Sequence, residues 1–266
     1  MSNNIAWIAL WLDAPLQSWG FESRFERRHT AMFPTKSGVL GLVLAAMGVP
    51  KGSPRERETL IAFSPPGERI VCALVPRRNP HRNDQVLPLR RLTDYHTIQN
   101  FRRADNSKPR SGDTVPSWRD YLMDARFGVL LPGKPAVATE AARSLLNPVW
   151  GVWLGRKSCP PASPILVRSA ELEFALGVFP NREISERALM QHVSHVDGIN
   201  ATELPLFEDF AKLEEVDNFE DGTETWNDQP LSFGTNTSSG VEGRLFAPRR
   251  VKLVPSRSVE NPKSKI

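Results

Sequence analysis

Only two cysteines, Cys72 and Cys159, occur in 266 residues. Two thiols build neither a disulfide framework nor a zinc-finger spacing, and their scarcity points to a reducing compartment, for which we expect the cytoplasm. Histidine is sparse as well: His29, His81, His96, His192 and His195. Only His192 and His195 fall at a metal-ligand spacing, and no third ligand accompanies them, so neither a metal nor another cofactor is expected. Long apolar runs are missing. Residues 5–12, IAWIALWL, are too few to span a bilayer. No basic stretch precedes them and Asp13 and Pro15 end them, which argues against a signal peptide and against a membrane partner. No internal repeat is visible. An apolar content of 40% still supports a packed core, in one elaborated domain or two small ones.

What is present is organised around residues 33–48, FPTKSGVLGLVLAAMG. Thr35 is a candidate N-cap, residues 37–47 read as a helix, and Gly48 is a natural stop. Val39, Leu42, Val43 and Ala46 keep one helical face apolar, and Leu40, Leu44 and Met47 fill much of the remainder, so this helix is expected in the interior. Its first turn carries Lys36 and Ser37, with Arg24, Arg27, Arg28 and His29 just upstream. Unpaired N–H groups and the helix dipole favour an anion at such an end, which suggests a phosphate site. An ordinary helix start with solvated charges is the alternative.

Residues 5–12 are apolar on both alternating faces, as in a central strand covered on both sides. Trp19, beside Gly20, either stacks on a base or fills the core. Residues 21–30, FESRFERRHT, interleave cations with aromatics in a way that suits tracking a nucleic-acid backbone; a solvated edge is the bland reading. Pro54 is placed to open a short helix over 53–63. Residues 70–75, IVCALV, form a second buried strand with Cys72 in the core. Strand, helix, strand is the order of a split βαβ or ferredoxin-like unit. Alternation through Tyr121, Met123, Ala125, Phe127 and Val129 predicts a strand over 121–131. Residues 139–146 read as a short helix capped by Thr139. In 150–159, WGVWLGRKSC, Gly155 lets the backbone approach a ligand and Arg156, Lys157 and Ser158 are placed to donate to phosphate; a purely structural turn fits equally. Pro160, Pro161 and Pro164 mark a boundary. Residues 170–179 read as a strand or short helix. The acidic stretch 203–221 is expected to face solvent or a basic protein neighbour. Residues 229–232 and 244–254 look like a closing strand pair joined by a loop over 234–243.

Charge is unevenly spread. The formal net charge is +4, yet residues 77–119 hold ten Arg or Lys against four Asp, leaving the rest of the chain net negative. This segment has few aliphatics, no sustained periodicity and four prolines, Pro80, Pro88, Pro109 and Pro116. It cannot bury a core of its own. A long irregular insertion rich in arginine is expected of an arm that meets nucleic acid. A hairpin around 86–92, paired with residues near 97–101, is its expected form; a disordered basic loop is the alternative.

Six motifs, in order, carry a resemblance: LDAPLQSWG at 12–20, FPTKSGVLGLV at 33–43, DYHTIQ at 94–99, WRDYLMDARFGV at 118–129, LGRKSCP at 154–160, and QPLSF at 229–233 with RLFAPRRV at 244–251. Together they resemble the CasD family, subunits of the type I-E CRISPR surveillance complex (Cascade) that hold the 5′ repeat handle of the guide RNA (crRNA). The likeness runs from about residue 5 to about residue 254. It implies an α+β fold with a ferredoxin/RRM-like palm, expected over 1–168, and a long basic thumb inserted in it at 77–119. From the residues themselves, a smaller C-terminal β-rich subdomain is expected over 169–255 and a flexible tail over 256–266. The resemblance implies as partners the crRNA 5′ handle, the Cascade backbone subunit, the Cascade large subunit and, through the assembled complex, target DNA. No RRM-type aromatic signature of the K/R-G-F/Y-G/A-F form is present, so phosphate contacts and a shaped groove are expected rather than stacking on the sheet face.

The first functional expectation is a non-catalytic RNA-binding and assembly subunit of a ribonucleoprotein for antiviral defence. Arg24, Arg27, Arg28, Lys36, Ser37, Arg156, Lys157 and Ser158 are its candidate handle contacts. Arg77, Arg78, Arg90, Arg91, His96, Arg102 and Arg103 are its candidate thumb contacts to RNA or neighbouring subunits. The second is a metal-independent endoribonuclease, as in the similar type I-C family, with Tyr95, His96, Lys36 and His29 as candidate acid–base groups. A third is a protein scaffold whose basic arm docks on an acidic partner.

Overall fold

The computed structural model describes residues 5–22, 26–79, 81–99, 114–169, 171, 174–198, 206–237 and 240–256. In chain order the elements are β1 (Ala6–Asp13), β2 (Leu16–Gln17), β3 (Arg27–Arg28), α1 (Lys36–Ala46), α2 (Pro54–Ala62), β4 (Val71–Leu74), β5 (Arg78–Asn79), β6 (Arg82–Val86), β7 (Arg90–Gln99), β8 (Thr114–Met123), β9 (Arg126–Gly133), α3 (Pro135–Leu146), β10 (Val178–Phe179), α4 (Arg182–Asp197), β11 (Ala211–Val216), β12 (Thr223–Thr237) and β13 (Gly240–Val254). The fold is mixed α and β, dominated by antiparallel sheet. Among the described residues no helix is long and apolar enough to cross a membrane.

β1 is buried at every position, and the layers on each side of it explain its two apolar faces. Ile8, Leu10 and Leu12 join Phe127, Val129 and Leu131 in a core shared with Leu40 and Val43 of α1 and with Ala138, Ala141 and Ala142 of α3. Trp7, Ala9 and Trp11 join Leu130 in a second core, against Leu189 and Val193 of α4. Gly128 of β9 keeps room for this second layer, because a Cβ there would run into the Leu189 side chain. Thr35 caps α1 by accepting the Gly38 N–H, Ser53 caps α2 by accepting the Glu56 N–H, and Pro54 stands at the first turn. Gly48 leaves α1 at φ +66°. Trp19 is a core residue, 1% exposed, with its Nε1 donating to Gln17 and its ring packed where a Gly38 Cβ would otherwise stand.

The main sheet has seven strands in the order β10-β1-β9-β4-β11-β13-β12, every neighbouring pair antiparallel. Its first part runs strand, helices, strand, strand, helix, strand along the chain (β1, α1 and α2, β4, β9, α3, β10). The strands beyond residue 169 extend the same sheet: β11 pairs with β4 from Ala211↔Leu74 to Glu214↔Val71. A smaller sheet orders β2-β8-β3, with β7 also on β8, and β5 and β6 form a short hairpin.

Several local expectations change. Residues 121–131 are not one strand: β8 ends at Met123, Asp124 takes φ +51°, and β9 starts at Arg126 in the other sheet. The hairpin expected of 86–92 with 97–101 is not formed by residues 90–92 and 97–99, which lie together on β7 and pair with β8, in ten aligned pairs from Arg90↔Met123 to Gln99↔Thr114. α3 begins at Pro135, ahead of Thr139, because proline at the first turn needs no N–H partner. α4 has no counterpart among the elements expected from the sequence, although Asn181 caps it through the Ile184 N–H and Gly198 ends it at φ +65°. The closing pair is longer than expected, since β12 and β13 stay paired out to Thr237↔Gly240. The tail over 257–266 lies outside the described residues.

Candidate nucleic-acid interface

Asp120 of β8 ties together four segments that are distant in sequence. Its carboxylate meets His29 Nδ1 at 2.9 Å through Oδ2 and accepts the Thr93 hydroxyl at 2.7 Å through Oδ1. Its backbone carbonyl accepts the Ser18 hydroxyl at 3.0 Å and the Arg156 guanidinium at 3.2 Å. Burial alone would raise the Asp120 pKa, but the hydrogen bonds from His29 and Thr93 and the charges of His29 and Arg91 outweigh it and hold the carboxyl below its usual range.

Around this junction cations lie on aromatic rings. The Arg156 guanidinium is 4.7 Å from the Tyr121 ring centroid and also donates to the Arg28 carbonyl at 2.8 Å. The parallel bridge between β3 and β8 aligns Arg27 with Trp118 and Arg28 with Arg119, and the Arg27 guanidinium is 5.6 Å from the Trp118 ring. On the other side of β8, register sets Tyr95 opposite Trp118, with ring centroids 5.3 Å apart. Tyr95 is 59% exposed. The exposed ring of Tyr95 can stack a base, and the exposed Arg27 guanidinium near it can neutralise a phosphate.

The glycine-rich turn beside it is built by packing. Gly155 has φ +96° and a Cβ there would overlap the Ser18 carbonyl oxygen, while the Ser18 N–H donates to the Leu154 carbonyl at 3.1 Å. The close approach foreseen at Gly155 is thus made to the chain's own backbone. It presents Arg156 to the junction, Lys157 to solvent 5.6 Å from the Trp153 ring, and Ser158 at 3.5 Å from the Tyr121 hydroxyl.

The start of α1 differs from the expected open phosphate site. The Lys36 N–H donates to the Asp228 carboxylate at 2.8 Å, and Thr35 takes the Gly38 N–H. An anion is therefore already seated there, supplied by β12. Lys36 is 4% exposed and its Nζ lies 3.2 Å from Glu215. Burial lowers its pKa, partly offset by the Glu215 charge. Arg249 completes the network with a two-pronged contact to Asp228 at 2.5 and 2.8 Å. Ser37, half-buried, is turned to the Thr35 hydroxyl at 3.4 Å. Part of the acidic stretch is correspondingly matched to the chain's own cations, Glu215 to Lys36, Arg69 and Arg249, Glu214 to Arg182 and Asp217 to Arg69, while residues 217–221 face solvent as expected.

Among the arm cations, Arg77 pairs with Asp13 and donates to the Asp124 carbonyl, and Arg90 pairs with Asp124 at 3.1 Å. Arg78, Arg91 and His96 are exposed, and the His96 carbonyl accepts the Ser117 hydroxyl. Arg24, Arg102 and Arg103 lie outside the described residues. Asp120, Trp118, Thr93 and Asp228 were not singled out from the sequence. Strand pairing is what gives them partners, and no local spacing encodes that. Among the described residues no cluster of three or more His, Cys, Asp or Glu is placed to hold a metal.

Residues 7–251 match the family model described as CRISPR-associated protein (Cas_Cas5). The chain belongs to the Cas5 family. This Cas5-family chain is 30% identical over 172 residues, 62% of its own length and 72% of the relative's, to CRISPR system Cascade subunit CasD of Escherichia coli strain K12. It also aligns over 94% of its length with a chain of a structure titled CRISPR RNA-guided surveillance complex, covering 90% of that chain at 26% identity and a TM-score of 0.59. A structure titled Crystal structure of Cas protein shares the fold at 24% identity, with 94% of this chain and 95% of that one covered and a TM-score of 0.54.

Proposed function

We propose that this Cas5-family chain is a non-catalytic, RNA-binding and assembly subunit of a CRISPR surveillance complex of the type I-E kind. It holds the 5′ repeat-derived handle of the crRNA, meets the backbone and large subunits, and engages target DNA only through the assembled complex. The observation that carries this reading is the Asp120 junction. It gathers Arg27, Arg28, His29, Arg156 and Ser158, from segments more than a hundred residues apart, beside the exposed ring of Tyr95. The E. coli relative's name as a Cascade subunit supports the same reading. The strand order β10-β1-β9-β4 with its two helical crossovers supports a ferredoxin/RRM-like palm. The stretch between β4 and β9, including the β7–β8 pair, is its thumb.

Binding of uncut repeat RNA in EDTA over a salt series tests this. Arg156→Ala is expected to weaken binding and to reduce the slope of log affinity against log salt by about 0.7, the value for one phosphate contact on a single strand. Salt-insensitive assembly without RNA would sink the reading in favour of a protein scaffold.

One observation favours the nuclease as a second reading. His29 Nδ1 on Asp120 is a base–orienter pair that the sequence alone does not display. A single cut in the same EDTA assay, lost in His29→Gln, would establish it; RNA recovered intact would leave the pair a structural one.

A further inference from the structure

A second groove opens on the other side of the 150–157 turn. It measures about 390 Å³ and runs along α1, floored by Gly38 and Gly41 and walled by Trp150, Trp153 and, from β12, Phe233. Trp150 is 46% exposed although it is among the largest apolar side chains in the protein. Three charged side chains line the groove. Glu56 is buried and its Oε2 is committed to the Gly52 N–H, the Ser232 hydroxyl and the Phe233 N–H. Lys51 and Lys157 are exposed at the rim. The groove thus combines flat aromatic walls with a rim whose two solvent-facing charges are both positive.

We propose that this groove takes one unstacked nucleotide of the RNA: the base lies against the Trp150 and Trp153 rings, and Lys51 and Lys157 meet the flanking phosphates. The proposal rests on the RNA-binding reading above and extends it. The turn that bears Arg156 towards the Asp120 junction bears Lys157 towards this groove, so a strand crossing the turn passes from one to the other within neighbouring residues. Charge complementarity favours an anionic occupant. A π-face has no sequence preference, so the groove would accept a base by shape and stacking and leave its identity to edge contacts elsewhere. The proposal does not draw on the α1 N-terminus, where the Lys36 N–H is already taken by Asp228 and the Gly38 N–H by Thr35.

The full-length protein and single-stranded repeat RNA serve as the test, with each nucleotide replaced in turn by an abasic one. The wild type is expected to lose about tenfold in affinity at one position, the scale of one base stacked on an aromatic ring. Trp150→Ala is expected to lose a similar amount with intact RNA and to become insensitive to the abasic replacement at that position. Trp150→Phe, which keeps a ring, should restore the sensitivity. Lys51→Ala should lower the salt slope without moving the position. If Trp150→Ala responds to every abasic replacement as the wild type does, RNA is bound but no base enters the groove, and this proposal fails while the RNA-binding reading stands. The proposal fails in the same way if Trp150→Ala keeps full RNA affinity and loses only association with a neighbouring protein subunit. A wild type that holds no RNA at low salt, alone or with its neighbouring subunits, overturns both.

Discussion

At the scale of single residues, the clearest lesson is that a cation near a helix start is not thereby a phosphate ligand. Lys36 and Arg249 are buried with Glu215 and Asp228, and Asp228 fills the anion position that the first turn of α1 offers. The sequence showed the anion site but not its occupant, which lies 192 residues away. Asp228 makes both short contacts to the buried Arg249 guanidinium, and removing it leaves Arg249 with the more distant Glu215 carboxylate at 3.7 Å. Asp228→Ala is expected to cost about 3–5 kcal/mol in urea unfolding. Lys36→Met should cost less, because Glu215 keeps Arg69 at 3.5 Å and Arg249 at 3.7 Å, and it should leave RNA affinity unchanged; a lowered salt slope in Lys36→Met would contradict the burial argument. Asp120 gives a pH prediction. Its carboxyl is held below the usual range in the folded protein, so its contribution is complete above the unfolded carboxylate pKa and disappears as pH falls through the folded value. Asp120→Asn should therefore be less stable than wild type at pH 7, by about 1–3 kcal/mol for lost charge-assisted hydrogen bonds. The gap should close as the pH falls below the carboxylate range, which unfolding curves at a series of pH values will show.

At the scale of elements, periodicity found what it is suited to find. β1, α1, α2 and β4 were legible because their neighbours leave apolar signatures on the faces they cover, and because Thr35, Pro54 and Gly48 mark ends chemically. The β8–β9 corner was not legible. The alternation from Tyr121 to Val129 is unbroken, and only a positive φ at Asp124, held by its N–H on the Pro15 carbonyl and its carboxylate on Arg90, turns the chain into another sheet. α4 escaped because its apolar face is narrow. The signals were there, in Asn181 and Gly198 at its ends, but they are short-range and weak without the helix between them. The 154–159 turn is the element on which the proposed interface depends most. Gly155→Ala would drive a methyl group into the Ser18 backbone at a positive φ. It is expected to destabilise the protein by more than about 1 kcal/mol and to displace Arg156 from Tyr121, lowering RNA affinity at least as far as Arg156→Ala does. RNA binding unchanged in Gly155→Ala would mean that the turn does not position the ligand.

At the scale of the whole molecule, composition breaks pointed to a C-terminal part, whereas hydrogen bonding joins it to the first half. β11 is inserted between β4 and β13 and carries Glu215 to Lys36. A chain ending at residue 168 would expose the β4 edge and strand Lys36 without a partner, so it should fail to give a cooperative unfolding transition and should aggregate through that edge. A soluble, cooperatively folding 1–168 fragment would show the two halves to be independent. The long insertion has a different relation to the sheet. It leaves from β4 and returns on β9, which are hydrogen-bonded neighbours, with Leu74 opposite Phe127 and the Val75 N–H on the Arg126 carbonyl. Its two ends are thus clamped side by side whatever lies between them. Closing a chain of twice the length across such a clamp costs only about 0.6 kcal/mol more. The reach of the arm is therefore a nearly free variable, open to growth or trimming to match the spacing of whatever it grips, while the sheet that anchors it stays the same.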